Sequence, residues 1–497
     1  MRIVVIGHGM VGSRFAQDAV TRLPDAHVTV LGREPHAPYN RVLLSSVVAG
    51  KAAADGIALD APEHERIDVR QGVSASEIDR ERRIVTASDG SLHRYDRLVL
   101  ATGSAARIPQ IQHVATPDGL VSGVSVLKDL DDAKGILAAL PKARRAVVLG
   151  AGVLGLEVAT GLAARGIAVT LVHHADRLME RQLGSAASAV AEGALGRLGI
   201  TVVTTTSVTR VLERRGRISG VVLGTGAEVL TDMLVMCAGT IPETALARRA
   251  GLPCERGIVV GEDLASPEDA HVFAIGDCAQ PPEGGTGLVA QGWDQAARLV
   301  DAWVDAHVPG VHLARPRGED ADTTNVVRVK ASGLDVVTMG LSGKFEHGER
   351  ELRAVRLSDP TIGRFVEVVI SHGLLVGATV VGDKACATEL QALYTRMLPV
   401  PADPAHLIVR PVPGAGPARK SVTEMDDDDT VCQCNGVSKG RICDAIADGC
   451  GSLQDVSRAT RASTGCGDCK PQVKELLEAH AASEDKTPAL AGAGEAR

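Results

Sequence analysis

The chain has 497 residues, 45% of them hydrophobic and 2% aromatic, with a formal net charge of −8. That length holds three or four domains, with cores built from Val, Leu, Ala and Ile rather than from rings. The spread negative charge argues against nucleic acid as a main partner. No uncharged apolar run is long enough to cross a bilayer, and the glycine-broken N-terminus does not read as a targeting segment.

Residues 2–6, Arg-Ile-Val-Val-Ile, form an apolar strand. Gly7-His8-Gly9-Met10-Val11-Gly12 follows, then a helical run through Phe15, Ala16 and Ala19. This is G-x-G-x-x-G between strand and helix. Its first glycine permits the tight turn, its second lets a pyrophosphate approach the backbone, and its third lets helix pack on strand. The next strand, 28–31, is followed by Glu34, which lies 22 residues past Gly12 and suits a ribose ligand. Arg41 can neutralise a pyrophosphate, and reads equally well as a surface charge. Residues 95–104 give a strand ending in a small-residue turn at Thr102 and Gly103.

A second fingerprint follows the strand at 146–149: Gly150-Ala151-Gly152-Val153-Leu154-Gly155, then Glu157 and a helix. Two such units in one chain imply two dinucleotides held face to face. The strand at 169–172 ends in His173-His174, where an acid favours NADH and an arginine NADPH. Histidine decides neither, and His173 also reads as a solvated loop residue. Glu157 lies two residues past the third glycine, where it can face nicotinamide and flavin; the plainer reading is a helix-surface carboxylate. Residues 272–279 place Asp277 at the end of an apolar strand, where it can accept a hydrogen bond from a flavin's ribityl hydroxyl. Residues 287–291 open a helix at Gln291 whose positive end can stabilise an anionic reduced flavin.

Residues 322–400 alternate apolar and polar as a small antiparallel sheet, followed by a helical run at 388–398. Pro411, Gly414, Gly416 and Pro417 mark a linker, and the four aspartates at 426–429 read as a solvated hinge.

All ten cysteines lie at or beyond Cys237. None form the C-x4-C pair of a disulfide reductase, or the C-x5-C with C-x3-C of a sirohaem–4Fe–4S site. Cys432 and Cys434 form C-x-C; after a gap of 31 residues Cys466 and Cys469 form C-x-x-C. Four thiolates suit a 2Fe–2S cluster or a zinc ion, and spacing alone leaves these even. Ser438 and Ser452 are placed to cap two short helices, and the last cysteine pair opens a third near Pro471. Free N–H groups at that helix end favour an anionic cluster. Cys443 and Cys450 read as buried thiols. A reduced, cytoplasmic setting fits the cysteine usage.

In order, G-x-G-x-x-G, A-T-G-S, G-x-G-x-x-G-x-E and F-A-I-G-D resemble the pyridine-nucleotide flavoprotein reductases with two dinucleotide domains. The string H-x-P-Y-N-R-x-x-L-S at 36–45 is similar to a branch found in nitrite reductase large subunits and electron-transfer subunits of assimilatory nitrate reductase. The cysteine segment resembles the bacterioferritin-associated-ferredoxin-like 2Fe–2S domain. The resemblance implies an α/β fold with two Rossmann-like domains, a small α+β interface domain and a small helical 2Fe–2S domain. It places FAD at Gly7, Gly9, Met10, Gly12, Glu34, Arg41, Thr102, Gly103, Asp277 and Gln291. NADH or NADPH falls to Gly150, Gly152, Gly155 and His173, with Glu157 near both rings, and the cluster to Cys432, Cys434, Cys466 and Cys469. The expected boundaries are 1–113 with 240–312 for FAD, 114–239 for NAD(P), 320–405 for the interface domain, 406–430 for the linker, 431–480 for the cluster and 481–497 for a disordered tail.

Three departures qualify the resemblance. Residues 36–46 carry no cysteine where related disulfide reductases and peroxidases place a redox thiol. The sirohaem and 4Fe–4S part of full nitrite reductase large subunits is not in this sequence. Ser46 stands where the related P-P-L-S-K string has lysine, which puts a Lys–Glu pair with Glu157 in doubt. The function implied is electron transfer from NAD(P)H through FAD to the cluster, because a hydride carries a pair and a 2Fe–2S centre accepts single electrons. The expected partner is a molybdenum nitrate reductase or a sirohaem nitrite reductase, with a homodimer compatible and no nucleic acid or membrane. Two alternatives stand beside it: a flavin reductase with a zinc-bound docking domain, and a nucleotide-binding scaffold without turnover.

Overall fold

The computed structural model describes residues 1–59, 64–307, 325–343, 352–409, 421–433, 435–465 and 467–484. Two compact units divide the chain, Met1–Arg410 and Pro411–Arg497. Cys434, Cys466, residues 410–420 of the expected linker and residues 485–497 of the expected tail lie outside the described residues.

Two parallel sheets dominate the first unit. One runs in the order 265–266, Asp269–Ala274, Arg97–Leu100, Arg2–Ile6, His27–Gly32, Ile67–Gln71, parallel except for its first short strand. The other runs Val124–Val126, Met233–Met236, Arg145–Leu149, Ala168–Val172, Thr201–Val203, parallel throughout. Strands Arg2–Ile6 and Arg145–Leu149 each have a later strand on one side and the next strand in sequence on the other. The connections therefore leave in opposite directions at the carboxyl end of each, which opens a crevice there. Both G-x-G-x-x-G turns sit at that crevice.

The strands read as continuous apolar runs because both faces are covered, by helices and by small antiparallel sheets: Val147, Leu149 and Leu234 pack against Val211 and Val221 of strands Val208–Arg214 and Arg217–Leu223. Helix Met10–Arg22 buries Phe15, Ala16, Ala19 and Val20 against the first sheet. Phe15 and Phe273 each meet the edge of Trp303, at centroid distances of 5.6 and 5.0 Å. With Tyr95, four of the chain's nine aromatic residues thus share one core, and aliphatic side chains fill the rest. Each fully buried aliphatic side chain contributes roughly 1.5–3 kcal/mol.

A third sheet is antiparallel, in the order Val327–Lys330, Asp335–Gly340, Leu374–Val381, Arg364–Ser371, Arg353–Asp359. One face packs Val329, Val336, Phe365 and Val381 into the core of the second parallel sheet. The other buries Val337, Met339, Val366 and Val368 under helix Lys384–Thr395.

In the second unit, Ser438 caps helix Lys439–Ala447 and Ser452 caps Leu453–Thr460, as the sequence predicts. The third helix, Lys470–Glu484, begins directly after Cys469. The acidic run departs from its reading as a hinge. The Asp427 and Asp429 carbonyls accept from Gly440 and Lys439 N–H at 2.8 and 2.7 Å, and Lys439 Nζ lies 3.2 Å from Asp427. Val422 is buried in the same core as Cys432. Residues 421–430, expected in the linker, are therefore folded onto the cysteine-bearing unit. The physical reason is that the first N–H groups of helix Lys439–Ala447 need acceptors, and the run's carbonyls supply them.

Candidate functional site

At the first fingerprint Gly7 has φ of 118°, and a Cβ there would overlap the Ala101 carbonyl. A Cβ on Gly9 would meet nothing nearer than Arg41 Nε, at 3.8 Å. That is open space over the start of helix Met10–Arg22, which no side chain caps. Uncapped N–H groups beneath an open backbone suit a pyrophosphate. Both ring nitrogens of His8 are buried without a hydrogen-bond partner, and burial pushes its ring toward the neutral form. Orphaned polar atoms at this cradle fit a bound nucleotide that supplies their partners.

Three of the predicted FAD residues, Glu34, Arg41 and Asp277, fall into one polar chain. Glu34 accepts from Arg41 and from Tyr39 Oη, the latter at 2.6 Å, and the Arg41 guanidinium stacks 4.7 Å from the Tyr39 ring centroid. Arg41 also donates to the Lys128 carbonyl at 3.2 Å. Lys128 Nζ reaches Ser104 Oγ at 2.7 Å and Asp277 at 3.5 Å, and Ser104 Oγ lies 2.7 Å from Asp277. Burial pulls the Lys128 ammonium below its ordinary value, while Asp277 works against that shift. Thr102 donates to the Glu243 carbonyl at 2.7 Å and Gly103 turns the chain with φ of 71°. Gln291 is occupied locally: its side chain accepts from Thr286 and donates to the Gly284 carbonyl. Tyr39, Ser104 and Lys128 were not read from the sequence. Tyr39 and Ser104 lay inside quoted motifs without being singled out, and no spacing marks Lys128.

The second fingerprint repeats the cradle. Gly150 has φ of 109°, a Cβ on Gly152 would meet nothing within 4 Å, and helix Val153–Ala164 starts uncapped behind it. His173 is not a solvated loop residue. It is 3% exposed; its Nδ1 accepts from Ala151 N–H at 3.2 Å, and its Nε2 lies 2.9 Å from Glu180.

Glu157 is not on the helix surface either, being 7% exposed. Helix Leu44–Ala49 crosses helix Val153–Ala164 so closely that a Cβ on Gly161 would come within 2.8 Å of Ala49 Cβ. That approach brings the Ser45 hydroxyl onto the carboxylate, and strand Val327–Lys330 adds the Lys330 N–H at 2.8 Å. Burial drives the Glu157 carboxyl above its ordinary value, opposed by these two donors and by the charges of Lys330 and Lys51. The cation expected at Ser46 is thus replaced in part by lysines from elsewhere in the chain. Nearby Cys237 is an inert core thiol, pushed up to about 12 by burial and by Glu157.

The sign of the resulting pH dependence follows from linkage. Above the ordinary carboxyl value of 4.5, the unfolded chain loses this proton while the native chain keeps it, so stability falls as pH rises toward the raised native value. Glu157→Gln keeps an acceptor for Lys330 and removes the titration. The expected result is a melting-temperature gain over wild type that grows by a few degrees from pH 5 to pH 8. A gain that stays constant across that range would refute the assignment.

In the second unit Cys432 and Cys469 are 0% and 3% exposed, and each thiol lies close enough to bear on the other's ionisation. Cys432, with burial, pushes the Cys469 thiol far above its ordinary value. Two buried sulfurs so placed ionise together only against a cation, which suits a metal centre. Asn435 Nδ2 lies 3.7 Å from Cys432 Sγ and is anchored to the Arg461 carbonyl and Thr464 Oγ1. Ser463 Oγ lies 3.4 Å from Cys469 Sγ, on a turn where Arg461 and Ser463 both take positive φ. Asn435 and Ser463 are hydrogen-bond partners the sequence did not reveal, since only the fold brings that turn to the sulfurs.

Two dinucleotide folds, an antiparallel sheet packed on the second and a cysteine-bearing helical unit define a flavoprotein oxidoreductase with an appended metal domain. Residues 1–299 match the pyridine nucleotide-disulphide oxidoreductase family, and the chain belongs to it. Residues 430–479 match the BFD-like [2Fe-2S] binding domain. Its cofactors are therefore FAD, NAD(P)H and a 2Fe–2S cluster. The chain is 32% identical over 483 residues to a nitrite reductase [NAD(P)H] of Bacillus subtilis (strain 168), covering 96% of this chain and 57% of that one. It is 29% identical to the assimilatory nitrate reductase electron transfer subunit of the same organism, covering 98% and 61%. The chain thus spans little more than half the length of these curated relatives. The covalent putidaredoxin reductase–putidaredoxin complex superposes with a TM-score of 0.70 at 25% identity, covering 82% of this chain and 95% of that one.

Proposed function

We propose that this chain takes electrons from NAD(P)H and delivers them singly to a separate nitrate or nitrite reductase in nitrogen assimilation, working in the cytoplasm. The observation that carries the reading is one chain holding two open dinucleotide cradles and a buried cysteine pair with a polar hydrogen-bond partner on each sulfur. The names of the relatives that match nearly the whole chain point the same way. Among the described residues no helix is long and apolar enough to cross a membrane.

When bound, FAD accepts a hydride and releases electrons one at a time. The protein's own part is positional. The Arg41 and Lys128 cations would neutralise the FAD phosphates, and Asp277 with Ser104 would hold its sugar chain. Glu157, held in place by Ser45 and Lys330, would stand beside the rings. No side chain is required as a general acid or base.

The purified protein is expected to carry about two irons and two acid-labile sulfides per chain. Anaerobic NAD(P)H is expected to bleach the flavin band and then reduce the iron. One zinc per chain, or iron that stays oxidised under NAD(P)H, would end the proposal.

A further inference from the structure

We propose that Glu180, positioned by His173, selects NADH over NADPH in the second dinucleotide site. The inference rests on the hydride-donor reading above and names the donor. An acid that recognises a dinucleotide's ribose stands about 20 residues past the fingerprint, at the end of the next strand. His173 occupies that place, 18 residues past Gly155. Its ring does not offer itself to a ligand. Nδ1 accepts the Ala151 N–H, so the proton sits on Nε2, which donates to Glu180 at 2.9 Å. The acid that the strand end lacks is thus supplied from the following turn, one imidazole away.

Three features hold it there. Met179 N–H donates to the Ala151 carbonyl at 3.0 Å, so both backbone groups of the residue between the first two glycines are tied to this segment. Met179 takes a positive φ of 47°, which turns the chain sharply just before Glu180. The Glu180 side chain remains 28% exposed while His173 is sealed. Burial draws its carboxyl upward, but the His173 hydrogen bond and the neighbouring His174 outweigh that and keep it ionised. An ionised carboxylate accepts from a ribose 2′-hydroxyl and repels a 2′-phosphate. The nearest cations argue less strongly for a phosphate. Arg177 is engaged by Asp176 and by the Leu183 carbonyl, which leaves exposed Arg181 and His174 as the rival determinants.

The test uses the full-length, FAD-loaded protein and calorimetric titration with NAD⁺ and NADP⁺. Wild type is expected to bind NAD⁺ about 10–100-fold more tightly, the range of one charge-assisted hydrogen bond. Glu180→Gln keeps the size and an acceptor for His173, and is expected to shrink that ratio mainly by tightening NADP⁺. Glu180→Ala is expected to weaken NAD⁺ about tenfold. His173→Gln is expected to shrink the ratio as well, whereas a purely structural role would weaken both ligands equally. Equal affinities in wild type, or a ratio that Glu180→Gln leaves unmoved, overturns the inference while flavin bleaching by either dinucleotide keeps the hydride reading. A wild-type preference for NADP⁺ that Arg181→Ala abolishes also overturns it. Failure of both dinucleotides to bind or bleach overturns inference and reading together.

Discussion

Cys432→Ser and Cys469→Ser are each expected to remove the iron entirely, from about two atoms per chain to none. A serine hydroxyl stays protonated where a thiolate ionises, so it cannot replace a buried sulfur ligand. The consequence extends beyond the metal. The second unit's core is a short set of side chains around Val422, Ile442, Val456 and Val473, with Cys432 and Cys469 among them. Cores this small depend on a staple such as a metal centre. Both variants are therefore expected to lose the helical signal of this unit and to pass no electrons to a protein acceptor. NAD(P)H should still bleach their flavin, because the two dinucleotide cradles lie in the first unit. Cys443→Ser and Cys450→Ser provide the control: both thiols are half-buried at the rim of that core and their variants should keep full iron. Iron retained in Cys432→Ser, or lost in Cys450→Ser, would refute the ligand assignment.

Gly12→Ala is the second large effect. A Cβ at Gly12 would lie deep inside contact distance of the Gly7 carbonyl oxygen and 3.3 Å from Ala101 Cβ. Neither obstacle is a flexible side-chain tip, so the helix must move off the strand. The expected result is a loss of about 2–3 kcal/mol in stability and purification of protein nearly free of FAD. Gly155→Ala makes the same overlap with the Gly150 carbonyl in the second cradle. It should stay yellow yet reduce its flavin about 100-fold more slowly, the scale expected when a reacting group shifts by about 1 Å. The pair of variants separates the two sites. Normal flavin content in Gly12→Ala would contradict the assignment of the first cradle.

Much of the architecture was legible because its signals are local. A glycine needed for a positive φ, an apolar run that becomes a covered strand and a serine that caps a helix each depend on a few neighbouring residues. Gly7, Gly150, Ser438 and Ser452 are of this kind, and the structure uses each as its spacing suggests. Glu157 and His173 were harder. Their spacing located them at the second fingerprint, but their surroundings come from residues far away in sequence. Ser45 and Lys330 reach Glu157 across separations of 112 and 173 residues. Without them a carboxylate on the second turn of a helix looks like any solvated one. Lys128 and Tyr39 illustrate the opposite gap. They complete the polar chain from Glu34 to Asp277, yet nothing local marks Lys128, and Tyr39 stands in the H-x-P-Y-N-R string without that string showing its role.

By itself the sequence determined the order of the folding units, both phosphate-binding turns and the two cysteine pairs. These follow from backbone sterics and from donor chemistry, which act over a few residues. Only the tertiary structure decided which charges are dry. It buried Glu157 beneath a crossing helix, sealed the His173 ring behind Glu180, and closed the acidic run onto a helix start. Desolvation and hydrogen bonding depend on what arrives from elsewhere in the chain, and those arrivals set the protonation of each site.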